Sequence, residues 1–297
     1  MDDSRSLLLG CHLSIARGFV SAIDEAECLG NTALQVFSHN AMTWRMKEIP
    51  TDSATSFRHR RRTSSIQYVV IHAMYLVNLA SPDDALHARS IAAMTAEVER
   101  AAQLGIDRLV LHLGAHKGAG RSAGLGRVIT ALDDIVASDA FRDADGLRLL
   151  LENAAGTGTA MGTAFEEIGE ICSGVRDARR IGVCLDTCHA HAAGYDLRSE
   201  EAVKETLGLF ERAIGLDRLE LIHLNDAKAP LGSRRDRHEH IGLGQIGEPG
   251  IAALLRATPL RDLPFILETP KEIDGRPNAD PINLARVRRL RNEGATS

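Results

Sequence analysis

Short apolar runs recur eight times along the chain, at residues 7–12, 33–37, 68–72, 108–112, 147–152, 181–186, 219–223 and 264–268. Each has the length of a strand, and longer stretches between them carry helical spacing. Gly18 to Leu29 has that spacing and stops at Gly30, a C-terminal cap. Ser81-Pro82-Asp83-Asp84 reads as a helix start, with Pro in the first turn and acids near the N-terminus; the helix runs to Leu104 before Gly105. Further helices are expected from Gly162 to Cys172 and from Glu200 to Ile214, with a closing helix and frayed tail over the last ~25 residues. Arg58 to Arg62 reads as the solvated end of another helix, and Gly114 to Gly126 as a glycine-rich loop.

Strands that alternate with helices, each connection long enough for a right-handed crossover, predict a (β/α)8 barrel, the TIM barrel, spanning 1–297 as a single domain. A doubly wound open sheet is the alternative, and the lack of a glycine-rich dinucleotide fingerprint after the first strand weakens it. The barrel predicts where chemistry belongs, because side chains at the C-terminal ends of the strands crown the active-site face. Strands three to eight end, in turn, on His72, His112, Glu152, Asp186, His223 and Glu268. Two residues before each, on the same face, stand Val70, Val110, Leu150, Cys184, Leu221 and Ile266, which suit a packed interior. One histidine at a strand end is ordinary structure. Six imidazoles and carboxylates converging by one rule are costly unless something positive joins them.

The stretch Ile181-Gly182-Val183-Cys184-Leu185-Asp186-Thr187-Cys188-His189 adds a seventh group. A helix starting near Thr187 brings His189 back over the end of the strand. The plainer reading makes Asp186 or Thr187 a helix cap and His189 a polar residue of the first turn. Asp236-Arg237-His238 offers two more donors that face one way if the segment is extended. The resulting set holds five histidines, two aspartates and two glutamates. Imidazole and carboxylate mixtures suit zinc, with manganese or iron next. Nine donors exceed what one tetrahedral ion uses, so a cluster of three is expected, a shared carboxylate bridging two of them. Such a cluster suits phosphoester hydrolysis, with Glu268 or Glu152 holding the attacking water.

Composition bounds the setting. Hydrophobic residues make up 44% of 297, which supports a proper core, and the low aromatic content of 4% suits helices packed on strands. The start, Met1-Asp2-Asp3-Ser4-Arg5, is too short and acidic for a signal peptide, and no run approaches the ~20 apolar residues of a membrane span. Five cysteines without a framework of spacings point to a reducing interior and hence the cytoplasm. A formal charge of −5 looks unsuited to nucleic acid, but three bound divalent cations would bring it to about +1 with the positive charge concentrated at one place. DNA stays open as a substrate.

The segments His72-Ala73-Met74-Tyr75-Leu76-Val77-Asn78-Leu79-Ala80, Gly182 to His189, and His223-Leu224-Asn225-Asp226-Ala227-Lys228 continuing to Asp236-Arg237-His238 resemble the endonuclease IV family of zinc-dependent abasic-site endonucleases. Leu151-Glu152-Asn153 and Leu267-Glu268-Thr269 match as well. The resemblance implies three zinc ions: one on His72, His112 and Glu152, a second on Glu152, Asp186, His223 and Glu268, a third on His189, Asp236 and His238. It further implies cleavage of double-stranded DNA 5′ of an abasic site to leave a 3′-hydroxyl, removal of blocked 3′ ends, and a lesion turned out of a bent duplex, where an absent base has least stacking to lose. Tyr75 and Leu76 match positions the family uses as a wedge in the bent DNA. Lys228, Arg234, Arg235 and Arg237 crowd the loop of the third ligand group and are expected at phosphates. One departure stands out: where the family commonly has Asn-Gln-Arg-x-Trp, this chain has Asn40-Ala41-Met42-Thr43-Trp44, so Met42 replaces the basic side chain that enters the duplex.

Two rivals have different signatures. A metal-dependent sugar isomerase or epimerase on the same barrel needs fewer ligands and one or two ions, and a non-cleaving abasic-DNA binding protein has no use for nine such donors. Nothing suggests a coiled coil, so a monomer is expected.

Overall fold

In the computed structural model, residues 7–293 are described; the acidic start and the last residues of the tail expected to fray lie outside them. Eight parallel strands close into a barrel: β1 (Leu9–Leu13), β2 (Ala33–Phe37), β3 (Tyr68–His72), β4 (Arg108–Leu111), β5 (Arg148–Glu152), β6 (Ile181–Asp186), β7 (Leu219–His223) and β8 (Phe265–Leu267). Neighbours in sequence are neighbours in space, and β8 pairs with β1 to complete the ring.

The alternation of side chains sorts the residues into two shells. Val70, Val110, Leu150, Cys184, Leu221 and Ile266, with Ala33, form a separate fully buried cluster inside the barrel. Residues of opposite parity, such as Val69, Ile71, Leu109, Leu149, Val183 and Ile222, join the larger core between strands and helices. One step beyond the inner layer, the strand ends deliver their polar groups to the C-terminal mouth.

The helices largely follow the expected punctuation. Helix α1 spans Phe19–Cys28 and α2 Thr51–Arg62, its last turn made basic by His59 to Arg62. In α3 (Asp84–Leu104) the cap is Asp83, whose side chain accepts from Leu86 N at 2.9 Å, and Gly105 closes the helix at φ 66. Pro82 therefore precedes the cap instead of lying in the first turn. The run from Gly114 to Gly126 is loop only at its start, since α4 (Arg121–Val136) contains Gly124 and Gly126. Gly124 is there for space: a Cβ would sit 2.8 Å from His116 Cβ and 3.0 Å from Met161 Sδ. After the short α5 (Asp139–Asp143), α6 spans Phe165–Gly174, starting later than Gly162 because Gly162 takes φ 81 and Glu167 reaches back to accept from Gly162 N and Thr163 N. Helices α7 (Thr187–Ala193), α8 (Glu200–Ala213), α9 (Gly247–Arg256) and α10 (Asp280–Asn292) complete the shell. No helix among the described residues is long and apolar enough to cross a membrane.

Candidate metal centre

Asp186 shows why one residue can satisfy two readings. It ends β6 and caps α7, its Oδ1 accepting from His189 N at 2.7 Å. That cap turns the first helical turn inward and sets the His189 imidazole over the end of the strand. Asn225 holds the other oxygen, Oδ2, at 2.7 Å, and its own Oδ1 accepts from Glu268 N at 2.8 Å, so one amide ties β6 to the end of β8. Asn153 does the same on the far side, donating to Asp186 O and accepting from Asp186 N.

Glu152 is the hub. Its Oε2 lies 3.1 Å from His72 Nε2 and 3.6 Å from His112 Nδ1, and its Oε1 3.2 Å from His223 Nδ1 and 3.3 Å from His189 Nδ1. Burial alone raises a carboxyl pKa, yet the charges of His112 and His223 and hydrogen bonds from His189 and His223 outweigh it and hold Glu152 well below the ordinary carboxylate range. Burial likewise pushes Glu268 up, and the charge of His223, with the His12 ring 3.6 Å away, brings it well down. The imidazoles divide: burial lowers His189, but Asp186, Asp236 and Glu152 hold it well above its usual value, whereas at His112 and His12 burial wins and leaves them below it. The cavity thus demands positive charge, which ring protons supply and divalent cations would supply by displacing them.

Donor atoms fall into three groups whose members all lie within 4.8 Å of one another: His72, His112 and Glu152; Glu152, Asp186, His223 and Glu268; and His189, Asp236 and His238. A further arrangement puts Asp186 and His238 with Cys188. Burial pushes the Cys188 thiol above its ordinary value and Asp186 adds to the rise, so a thiolate is disfavoured there. The segment from 226 to 239 is a hairpin closed by antiparallel pairing of Asp226–Ala227 with His238–Glu239, which carries Asp236 and His238 to the mouth. His238 Nε2 is buried without a hydrogen-bond partner, with Asp236 Oδ1 at 3.4 Å and Asp186 Oδ2 at 3.6 Å. A nitrogen lone pair held dry among carboxylates fits a cation.

Around the donors, Tyr75 is 52% exposed and divides two cavities. One, about 450 Å³, is lined by Leu76, His112, Lys117, His189 and Asp236; the other, about 590 Å³, by His12, Phe37, Met42 and Lys271. The Tyr75 ring stands 5.3 Å from Phe37 and 6.3 Å from His112. Met42 is 69% exposed, whereas Leu76 is half-buried against the core. Lys228, Arg234, Arg235 and Arg237 are all exposed on the hairpin. Sequence reasoning misses the supporting residues Gln35, His12, Asn153 and Asn225 as working parts of the site. For His12 and Gln35, the signal is a polar residue facing inward from a strand that contributes no terminal donor.

Comparison with known proteins gives the class first. The profile of the xylose isomerase-like TIM barrel family matches residues 23–291. A probable endonuclease 4 of Methanoculleus marisnigri is 46% identical over 286 residues, 96% of this chain and 99% of that protein. The crystal structure of endonuclease IV from Thermus thermophilus superposes with a TM-score of 0.82 at 37% identity, covering 96% of this chain and 99% of that one. Within the barrel class, the chain belongs to the endonuclease IV family. A D-tagatose 3-epimerase-like protein shares the fold, with a TM-score of 0.70 at 18% identity over 97% of this chain and 100% of the other.

Proposed function

We propose that the chain is a DNA-repair endonuclease that hydrolyses the phosphodiester bond 5′ of an abasic site, leaving a 3′-hydroxyl, and that it also clears blocked 3′ ends. The observation that carries this reading is the convergence of nine imidazole and carboxylate donors into three groups at the mouth of the barrel, in a chain of the endonuclease IV family. Each group would hold one zinc ion, with manganese or iron able to serve at one or more of them. Bound there, the ions supply Lewis acidity, a water of lowered pKa and a counter-charge for the leaving oxygen.

The protein's own groups divide the remaining work. Glu152, 1% exposed and enclosed by four imidazoles, is the residue that would hold two of the ions. Glu268, with 14% of its side chain open to the mouth, is the better placed of the two to orient the attacking water and take its proton. Tyr75 and Leu76 stand where a wedge would meet the duplex, and Lys228, Arg234, Arg235 and Arg237 offer phosphate contacts on the hairpin side. The whole chain acts as one domain, as a monomer, in the cytoplasm. The epimerase likeness is one of fold, and the third donor group on His189, Asp236 and His238 exceeds what a sugar site needs.

The test is incision of an end-labelled duplex carrying one abasic-site analogue beside an undamaged duplex. A cut immediately 5′ of the lesion with the undamaged strand intact is the expected result; turnover of a ketose with no strand scission would replace this reading with the epimerase.

Met42 gives a second expectation. Restoring a cation with Met42→Arg should lower KM for the abasic duplex by up to about tenfold, leave kcat within about twofold, and steepen the salt dependence of binding by roughly 0.9 in log–log slope for one added phosphate contact. An unchanged slope would place residue 42 away from the DNA.

A further inference from the structure

Gln35 lies inside the barrel on β2, a strand that supplies no cation donor, and is fully buried. Every polar atom of its amide is engaged. Nε2 donates to Glu268 Oε1 at 2.6 Å and lies 3.0 Å from His12 Nδ1, while Oε1 stands 2.8 Å from His223 Nε2. The carboxylate decides the orientation of the amide, because the reverse would set two acceptors face to face. The amide oxygen then decides the imidazole, because it accepts only from a protonated Nε2. Nε2 therefore carries a proton in either charge state, and Nδ1, the atom that faces the site 3.2 Å from Glu152 Oε1 and 3.3 Å from Glu268 Oε2, is the nitrogen that would give up its proton to a cation.

We propose that Gln35 is a positioning residue for the second donor group: a single amide fixes the tautomer of His223 and aims the carboxylate of Glu268, coupling β7 and β8 through β2. The inference rests on the metal reading given above. Other imidazoles of the site obtain the same service from the main chain, His72 from Ala73 O, His189 from Asn153 O and His238 from Glu268 O. Of these four, His223 alone takes its second partner from a side chain, so a point substitution reaches it. Outer partners of this kind orient metal-binding histidines and raise the affinity of the site.

Gln35→Leu removes the amide at nearly constant volume. In competition with a chromophoric chelator, the zinc-loaded variant should hold one of three ions about 10- to 100-fold more weakly while the other two keep wild-type affinity. Cobalt-substituted protein should show an altered visible absorption band for that ion alone, a change that loosened packing elsewhere would not produce. Gln35→Met, which keeps the reach of the side chain without its polar atoms, takes over should the leucine variant lack a native far-ultraviolet circular dichroism spectrum. Wild-type protein that binds neither zinc nor cobalt overturns the metal reading and this inference with it. Wild-type protein with three ions, and variants matching it in every affinity and in the cobalt spectrum, overturn the role of Gln35 alone.

Discussion

Glu152→Gln should abolish incision, lowering kcat/KM by at least about a thousandfold, equivalent to about 4 kcal/mol of transition-state stabilisation. The side chain keeps its shape and loses its charge, and it belongs to two of the three donor groups. Four imidazoles lie within 3.6 Å of its carboxylate, so the amide presents N–H donors where donors already stand. Breaking a buried ionic arrangement from one side costs about 3–5 kcal/mol, because the remaining charges stay buried without compensation. Metal analysis of the purified variant should show fewer than three ions per chain. Glu268→Gln separates holding from chemistry: it serves one group only, so a comparable loss of rate should come with a smaller loss of metal. Full metal content and wild-type turnover in the Glu152 variant would remove it from the centre.

Stripping the ions should be the second large effect, visible in stability as well as activity. A ligand present at about a thousand times its Kd stabilises the folded state by about 4 kcal/mol for each site. For a chain of this size each kcal/mol moves Tm by roughly 2–4 °C, so exhaustive chelation should lower Tm by about 10 °C or more and abolish incision. Re-addition of zinc should restore both. The stripped protein should stay folded, since ring protons then balance the buried carboxylates, as the raised pKa values of His189 and His223 indicate. An unshifted melting curve after chelation would show that the donors bind no ion of consequence.

What was legible in the sequence follows from period. A strand side chain faces in or out by parity, so the step from Val70 to His72, or from Leu150 to Glu152, puts the inner layer where the structure has it and gathers these polar groups one step above it, from residue names alone. Glycine was a weaker guide. Gly105 and Gly30 end helices at positive φ, but Gly124 sits within a helix because Met161 and His116 leave no room for a Cβ, a fact of tertiary packing invisible in the local sequence. Proline misled at position 82, where Asp83 won the cap through its hydrogen bond to Leu86 N. The supporting amides were the least readable part of the site. Gln35 and Asn225 act across sequence separations of 233 and 39 residues, and only closure of the barrel brings them to Glu268 and Asp186.

The fully buried inner layer from Val70 round to Ile266 also governs traffic. It is an apolar floor directly beneath the donor groups. On the proposed function, cations seated above it would enter and leave by the same opening that receives the duplex. Bound DNA would then act as a stopper, leaving the site open to metal loss between catalytic rounds and sealed during them.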